Sequence, residues 1–369
     1  MDNRERLILL NLIPDIGTIR VRRLREAFGS LAALCEASEE LLKGVEGIGP
    51  VLASRLAKGL RDTHALAEEV RLAKQAGCRI LTQEDAEYPA PLNDIPDPPL
   101  ALYIRGTWTQ EDQTAIGMVG SRRASLYGEQ IAGRFAYDLA LRGATIVSGL
   151  ARGIDAAAHR GALKATGRTL AVLGNGLATI YPPEHVELAN QIAQAGALIS
   201  EYPMTMAPLP HNFPRRNRIV SGLSLGVVVV EAANRSGALI TADCALEQGR
   251  EVFAIPGKID SMTSQGSHRL LKQGAKLVTS VEDILEELRL ELRPVAGVST
   301  PESPAGVRVL TDQEQAVLAQ LSPDDPRDAD AVAHMASVSA AHCAAALLQL
   351  ELKRLVKQLP GKRFVRSTA

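Results

Sequence analysis

The chain has 369 residues and a net charge of −1; hydrophobic residues make up 46% of it and aromatic residues 3%. This length allows two or three domains. The near-zero charge excludes a surface that attracts polyanions as a whole, so nucleic-acid binding must come from a local patch. The four cysteines, Cys35, Cys78, Cys244 and Cys343, lack CxxC or metal-ligand spacing and indicate reduced thiols. Since no apolar run approaches the ~20 residues of a membrane span, we expect a cytoplasmic protein with no membrane partner.

Residues 1–85 predict a domain of short helices. Helices are expected at residues 18–28 and 51–58, each after a glycine-containing turn, Ile13-Pro14-Asp15-Ile16-Gly17 and Gly47-Ile48-Gly49-Pro50. This arrangement resembles a tandem helix-hairpin-helix (SAM-like) module, whose backbone N–H groups can hold a DNA phosphate. The charges of this segment are balanced, which favours the simpler interpretation that glycine only turns the chain between packed helices.

Residues 86–292 predict the main domain, and the proline-rich stretch at 88–99 places a domain boundary near residue 86. Strands are expected at 100–105, 116–119, 145–148, 169–173, 198–200, 227–230 and 251–255, and helices at 126–142, 155–166, 184–194, 238–248 and 281–290; a further short strand is expected before the boundary, at 78–82. Repeated strand–helix–strand units imply parallel strands with right-handed crossovers. Continuously apolar strands indicate a sheet that is covered on both faces. The sequence therefore predicts an α/β, Rossmann-like, doubly wound and mostly parallel sheet.

The C-terminal part predicts a linker and a small domain. Residues 293–307 are rich in Pro, Gly and Ser, as linkers are. In residues 308–369 we expect three helices, at 312–321, 329–336 and 339–356, and a hairpin around Pro360-Gly361. This order suggests a winged-helix-like domain, although its third helix has few groups that read base edges.

Loops at the carboxyl ends of the predicted strands carry cations, hydroxyl groups and glycines. In an open parallel sheet these loops share one edge, where ligands bind. The loops are residues 120–125, 149–155, 174–176, 211–224, 231–237 and 256–258. We interpret residues 211–224 as a cationic loop that opens a short helix, with Arg216 and Arg218 as phosphate holders, Phe213 as a stacking platform for a base, and Arg215 facing solvent. Together the loops predict a groove for a polyanion.

Nucleotide and catalytic fingerprints are missing from the sequence. The segment Gly174-Asn175-Gly176 fails GxGxxG at its third glycine, and the chain has neither a P-loop nor a GxSxG elbow. Asp155, an expected helix N-cap, and His159 lie one helical turn apart; this spacing allows a catalytic pair but is more often a hydrogen bond on a helix surface. We therefore expect a binding site without catalysis, metal or cofactor.

Several ordered motifs resemble those of the DNA-processing protein A family (DprA, also called Smf). They run from about residue 88 to 290 and include Met118-Val119-Gly120-Ser121-Arg122, Ser148-Gly149-Leu150-Ala151-Arg152-Gly153-Ile154-Asp155, Phe213-Pro214-Arg215-Arg216-Asn217-Arg218-Ile219 and Ser236-Gly237-Ala238-Leu239-Ile240-Thr241. The resemblance implies a bacterial protein that binds single-stranded DNA without strong sequence preference. It further implies loading of the RecA recombinase onto DNA coated by single-strand binding protein, in competence, natural transformation and homologous recombination, and a homodimer.

The resemblance also implies a set of DNA contacts in this chain. They are Gly120, Ser121, Arg122, Arg152, Gly153, Phe213, Arg216, Asn217, Arg218, Ser236, Gly237, Thr241 and Lys258. One alternative is a nucleotide-processing enzyme of the lysine-decarboxylase-like Rossmann group with Glu231 as its carboxylate, although Pro256-Gly257-Lys258-Ile259 lacks the PGGxGTxxE loop of that group. Another is a regulator that binds duplex DNA through its winged helix.

Overall fold

A computed structural model describes residues 1–291, 310–323, 325–353 and 355–367. These residues form two compact units, one within residues 1–291 and the other within 310–367. The expected linker, residues 293–307, lies outside the described residues.

The N-terminal segment is a bundle of short helices, as predicted. They are α1 (Asn3–Leu12), α2 (Thr18–Phe28), α3 (Leu31–Glu36), α4 (Glu39–Lys43), α5 (Pro50–Gly59) and α6 (Thr63–Gln75). α2 begins after Gly17 and α5 after Gly49, each at the expected turn, where Asp15 and Gly47 have φ angles of +66° and +83°. Buried leucines from several of these helices form one cluster, so packing holds together helices that are too short to be stable alone.

A nine-stranded sheet forms the centre of the larger unit. Its strands are β1 (Cys78–Thr82), β2 (Ala101–Gly106), β3 (Ala115–Val119), β4 (Thr145–Ser148), β5 (Thr169–Leu173), β6 (Ala197–Ser200), β7 (Gly226–Val229), β8 (Glu251–Ala254) and β9 (Lys276–Leu277). The order is β1-β2-β6-β5-β4-β3-β7-β8-β9, and every pairing from β6 to β9 is parallel. β2 is antiparallel to both of its neighbours. The expected boundary at residue 86 therefore separates two strands of one sheet.

Helices cover both faces of this sheet. They are α7 (Ala90–Asn93), α8 (Leu126–Leu141), α9 (Ile154–Lys164), α10 (Val186–Ala195), α11 (Asn212–Gly222), α12 (Gly237–Glu247), α13 (Gln265–Lys272) and α14 (Val281–Glu287). Consecutive residues of β4 pack in opposite directions: Ile146 shares a buried cluster with Phe135 of α8, and Val147 shares one with Ile219 of α11. The prediction of a doubly wound α/β fold is confirmed.

One local prediction differs from the structure. Residues 213–218 lie within helix α11, not in a loop before a helix. The buried residues of this helix include Arg216 and Arg218 as well as Ile219 and Val220, so an apolar pattern alone does not mark its inward face.

The smaller unit contains three helices and a three-stranded sheet. Its elements are α15 (Asp312–Ala319), α16 (Ala329–Met335), α17 (Ala340–Leu352), β10 (Arg327–Asp328), β11 (Val356–Leu359) and β12 (Arg363–Arg366). β11 and β12 form the predicted hairpin, and β10 pairs with β12. Within the described ranges no single helix is long and apolar enough to cross a membrane; the bent pair Ala329–Met335 and Ala340–Glu351 passes by length and composition only.

Candidate nucleic-acid interface

The strand order reverses at β3, whose neighbours are β4 on one side and β7 on the other. The loops that follow β3 and β7 diverge at such a point, which leaves a crevice at the carboxyl ends of the strands. A groove of about 900 Å³ lies here. Nine of the residues expected to bind DNA line it together: Gly120, Ser121, Arg122, Phe213, Arg216, Asn217, Ser236, Gly237 and Thr241.

The lining of this groove is cationic. Four arginines contribute to it, Arg122, Arg123, Arg216 and Arg235, whereas Asp155 is the one acidic residue among the described residues that line it. The Asp155 carboxylate already accepts hydrogen bonds from the backbone N–H groups of Gly149 (3.2 Å) and Ala151 (3.3 Å). On a chain of net charge −1, this local excess of positive charge creates a site for an anion.

Glu231 fixes the loop that follows β3. Its carboxylate accepts hydrogen bonds from the Ser125 backbone N–H (2.9 Å) and hydroxyl (2.6 Å), and its own carbonyl accepts one from the Ser121 N–H (2.7 Å). The Ser125 hydroxyl oxygen also caps α8 by accepting the Gly128 N–H (3.0 Å). Glu231 thus ties the loops after β3 and β7 together, which gives this buried carboxylate a structural role in the described chain.

Phe213 lines the groove and lies at the start of α11. The Arg122 guanidinium carbon lies 5.2 Å from the centre of its ring, and the Tyr181 ring lies 5.7 Å away at a tilt of 43°. A Cβ atom built on Gly174 would lie 2.8 Å from Phe213 Cδ1, so glycine at 174 leaves room for the ring. The structure therefore joins an aromatic ring and a cation at the groove, a combination suited to a ligand with both bases and phosphates.

Arg216 lies beneath the groove and is only 4% exposed. Its Nη1 donates to the carbonyl of Gly149 (2.8 Å) and to that of Val172, and its Nε donates to Asn217 Oδ1 (3.2 Å). Burial is the main cause that lowers the pKa of Arg216 to about 10, although the nearby Asp155 carboxylate opposes it. Arg216 remains charged at neutral pH, and it also holds the ends of β4 and β5 beside α11.

Arg218 does not line the groove in the described structure. It forms a buried pair with Glu201, with Nη1–Oε1 and Nη2–Oε2 distances of 2.8 and 2.7 Å, and its Nε donates to Asp97 Oδ2 (2.7 Å). The carboxylates of Glu201 and Asp97 raise the pKa of Arg218 against the opposing effect of burial. Arg218 therefore pairs with internal carboxylates, and we leave it out of the proposed DNA contacts. Arg215 is exposed, as expected.

Three other predicted residues also lie outside the groove lining. Arg152 is exposed, forms an ion pair with Glu184, and lines a small cleft next to the groove. Gly153 packs against the loop after β3, since a Cβ there would overlap the Ser121 carbonyl oxygen. Lys258 follows β8 on an exposed segment. Arg152 is thus adjacent to the groove, Gly153 supports it, and Lys258 lies two strands from β3.

Asp155 and His159 do not form a pair on the helix surface. Both are buried, and Gly153, not Asp155, is the N-cap of α9. His159 Nδ1 lies 2.7 Å from the Thr169 hydroxyl, whose proton goes to the Ile146 carbonyl (2.7 Å), so Nδ1 is the donor to Thr169. His159 Nε2 has no hydrogen-bond partner, as expected for a neutral ring.

Burial, helped by His185 and Arg216, lowers the pKa of His159 to about 3. In the unfolded chain the histidine becomes protonated below its ordinary pKa of about 6.5. In the folded chain it stays neutral down to about pH 3. The unfolded state therefore binds more protons in this window, and stability should fall by about 1.4 kcal/mol per pH unit as the pH drops. Chemical denaturation at a series of pH values from 7 to 4 measures this effect. The free energy of unfolding should fall less steeply with decreasing pH for His159→Gln than for the wild type. Parallel plots of unfolding free energy against pH would contradict a neutral buried His159.

Sequence reasoning missed some of the groove residues. Tyr181, Arg123 and Arg235 were not among the expected contacts, although the two arginines lie within the loop ranges 120–125 and 231–237. Both arginines are exposed and line the groove. Their positions after β3 and β7 were the available signal. Among the described residues, no group of three or more His, Cys, Asp or Glu side chains could hold a metal ion.

The family model for DNA recombination-mediator protein A matches residues 79–289, more than half of the chain. The chain belongs to the DNA recombination-mediator protein A family. The model of a SAM-like helix-hairpin-helix tandem matches residues 7–62, and that of the DprA winged helix domain matches residues 301–362. The resemblance found in the sequence and the predicted types of both flanking domains are thereby confirmed.

Named relatives in this family cover most of the chain. This chain is 45% identical to Protein Smf of Escherichia coli, over 78% of this chain and 77% of that one. It is 34% identical to Protein Smf of a Synechocystis species, over 96% of each. The X-ray structure of DNA processing protein A (DprA) from Streptococcus pneumoniae superposes with a TM-score of 0.68 at 34% identity, over 78% of this chain and 98% of that chain.

A second solved structure concerns DNA processing protein A from Helicobacter pylori and its single-stranded DNA binding mode. It superposes with a TM-score of 0.52 at 30% identity, covering 58% of this chain and 97% of that chain. The part of this chain that superposes on the Helicobacter pylori structure is therefore about as long as the sheet domain that contains the groove.

Proposed function

We propose that the groove at the β3–β7 crevice binds single-stranded DNA. The observation that carries this proposal is the contact between Arg122 and Phe213 at the edge of a cationic groove. Guanidinium groups hold phosphates, and an aromatic ring offers a surface on which any base can stack. The solved structure of DNA processing protein A from Helicobacter pylori concerns its single-stranded DNA binding mode, which supports the same ligand here.

The proposed contacts are those expected residues that lie in or next to the groove. The loop after β3 supplies Gly120, Ser121 and Arg122, helix α11 supplies Phe213, Arg216 and Asn217, and the start of α12 supplies Ser236, Gly237 and Thr241. Arg123, Arg152 and Arg235 add positive charge around them. Lys258 remains a proposed contact for a strand that extends toward β8.

Membership of a family of recombination mediators supports a wider role for the bound strand. We propose that the protein loads RecA onto single-stranded DNA, including DNA coated by single-strand binding protein, during transformation and recombination. We also propose that it acts in the cytoplasm as a homodimer. The absence of strong sequence preference follows from contacts to phosphates and to base faces, which are common to all four nucleotides.

Replacing Arg122 by alanine should weaken binding of a thymidine oligomer by about tenfold or more at low salt, because it removes an exposed phosphate contact. It should also reduce the magnitude of the slope of log affinity against log salt concentration by about 0.7, the value for one phosphate on a single strand. Fluorescence anisotropy over a salt series, with single- and double-stranded oligomers, measures both quantities.

Arg160→Ala is the matched control for this experiment. Arg160 is an exposed arginine on α9 that does not line the groove, so its removal changes net charge equally without touching the site. We expect its affinity and salt slope to match those of the wild type. Equal affinities for wild type and Arg122→Ala at every salt concentration would contradict the proposed site.

A further inference from the structure

Helices α16 and α17 of the smaller unit form a helix-turn-helix, since they meet at an angle of 108° across a short turn. In DNA-binding proteins of this type the second helix enters the major groove and its first turns contact base edges. α17 begins Ala340-Ala341-His342-Cys343-Ala344-Ala345 and has no Lys or Arg up to its end at Leu352. His342 Nδ1 lies 2.7 Å from the Ser339 hydroxyl. α17 therefore has few groups that could read bases and none that could neutralise phosphates.

The helix before α17 is acidic at its start. In a DNA-bound helix-turn-helix this first helix lies across the phosphate backbone. Asp328, the N-cap of α16, and Asp330 in its first turn are both exposed. Arg327 beside them is already paired with Asp325 (3.0 Å), and α16 itself contains no Lys or Arg. Phosphates would be repelled here, so this helix-turn-helix is poorly suited to duplex DNA.

The outward face of α17 is apolar. The inward side chains Cys343, Leu347 and Leu350 are buried in the core of the smaller unit. The opposite side of the helix exposes only small or apolar side chains over two turns: Ala341, Ala344, Ala345 and Leu348. Leu348 is 57% exposed. Apolar side chains grouped on one face of a surface helix mark a contact with another polypeptide.

The β11–β12 hairpin places positive charge at the end of this apolar face. Glu351, one helical turn beyond Leu348, accepts a hydrogen bond from the Gln358 backbone N–H of β11 (3.3 Å), so the helix face and the hairpin are neighbours. The hairpin carries four exposed cations: Lys357, Lys362, Arg363 and Arg366. Within the described ranges none of these four side chains forms an ion pair. They are therefore available to carboxylates of a partner.

We propose that the outward face of α17 and the cations of the β11–β12 hairpin, together the α17–hairpin surface, bind an acidic peptide segment of a partner protein. A large apolar side chain of this segment covers Leu348, and its carboxylates face the hairpin cations. Charge alone would also attract a nucleic acid, but phosphates would meet the acidic start of α16 and an apolar helix face that cannot pair with them. This inference goes beyond DNA binding by the groove, which lies in the larger unit.

Fluorescence anisotropy with the full-length protein and a dye-labelled synthetic peptide of alternating aspartate and leucine tests this surface. We expect saturable binding that weakens with salt. Leu348→Glu should bind the peptide about tenfold more weakly or worse, because an apolar contact is lost and a like charge faces the peptide. The double charge reversal Lys357→Glu with Lys362→Glu should cost about tenfold as well. Leu41→Glu is the matched control, since Leu41 on α4 is 62% exposed, and it should bind the peptide like the wild type.

The cationic groove of the larger unit must be separated from this surface. Arg122→Ala should bind the peptide like the wild type, and Leu348→Glu should bind the thymidine oligomer like the wild type. Absence of peptide binding, unchanged peptide binding by Leu348→Glu, or loss of it in Arg122→Ala would overturn the α17–hairpin surface. A charge-reversed variant that loses affinity for duplex DNA but not for the peptide would overturn it in favour of a nucleic acid. Failure of the wild type to bind the thymidine oligomer would contradict the groove and leave this surface standing.

Discussion

Arg218→Met is expected to lower the free energy of unfolding by about 3–5 kcal/mol, since it removes the buried cation that donates both hydrogen bonds to the buried Glu201 carboxylate. The Arg218 and Glu201 side chains are 8% and 5% exposed, and two hydrogen bonds of 2.8 and 2.7 Å join them. Methionine fills much of the arginine volume, so the expected loss reflects the charge and its hydrogen bonds more than a cavity. Urea denaturation at pH 7 measures the change.

Arg215→Met provides the matched control in the same helix. Arg215 is 49% exposed and its Nε lies 3.8 Å from the same Glu201 carboxylate, so screening by solvent limits the expected loss to less than about 1 kcal/mol. Combining Arg218→Met with Glu201→Leu should recover part of the stability, because both members of the pair are then apolar. Equal losses for the two single arginine variants would show that burial does not set the strength of this pair.

Gly153→Ala is expected to weaken single-stranded DNA binding by more than tenfold and to lower stability by about 1–3 kcal/mol. Gly153 has φ +71° and ψ −124°, a conformation that an L-residue rarely adopts. An added Cβ would also overlap the Ser121 carbonyl oxygen and lie 3.1 Å from the Arg122 backbone. The loop that presents Arg122 would have to move, so binding and stability should fall together in anisotropy and denaturation measurements.

Gly133→Ala is the control for glycine replacement near the same helix pair. Gly133 lies inside α8, and a Cβ there would meet its nearest heavy atom at 3.7 Å, which is ordinary contact. Alanine is the better helix former, so stability should stay the same or rise by up to about 1 kcal/mol, with affinity unchanged. Normal binding by Gly153→Ala would mean that the loop after β3 tolerates displacement.

The sheet was predictable because each strand is marked by a local sequence pattern. Val227 to Val229, for example, form an apolar run between a helix and a glycine-containing loop, and parallel pairing follows from the alternation of strands and helices. The edge where ligands bind then follows from topology alone. Nine of the contacts that the family resemblance implies lie on these loops or on the helices that follow them, and they line one groove.

Burial of charged side chains was not predictable in this way. Arg216 and Arg218 look alike in sequence, two positions apart in a basic stretch, yet their partners come from distant segments: Val172 for the first, Asp97 and Glu201 for the second. Only the folded chain shows that one arginine lies below the groove and the other points away from it. A basic stretch predicts positive charge, but it does not say which cations are accessible to a ligand.

Helix α11 places a proposed ligand contact and internal support within six consecutive residues. Phe213 lies at the groove, Arg216 binds the carbonyls of Gly149 and Val172, and Arg218 is paired with Glu201. In a saturation mutagenesis experiment scored by transformation, all three positions would therefore look equally intolerant. Scored by protein abundance, Phe213 should separate from the two arginines, because its side chain is a proposed ligand contact, whereas both arginines also hold internal carbonyl or carboxylate groups of the folded chain.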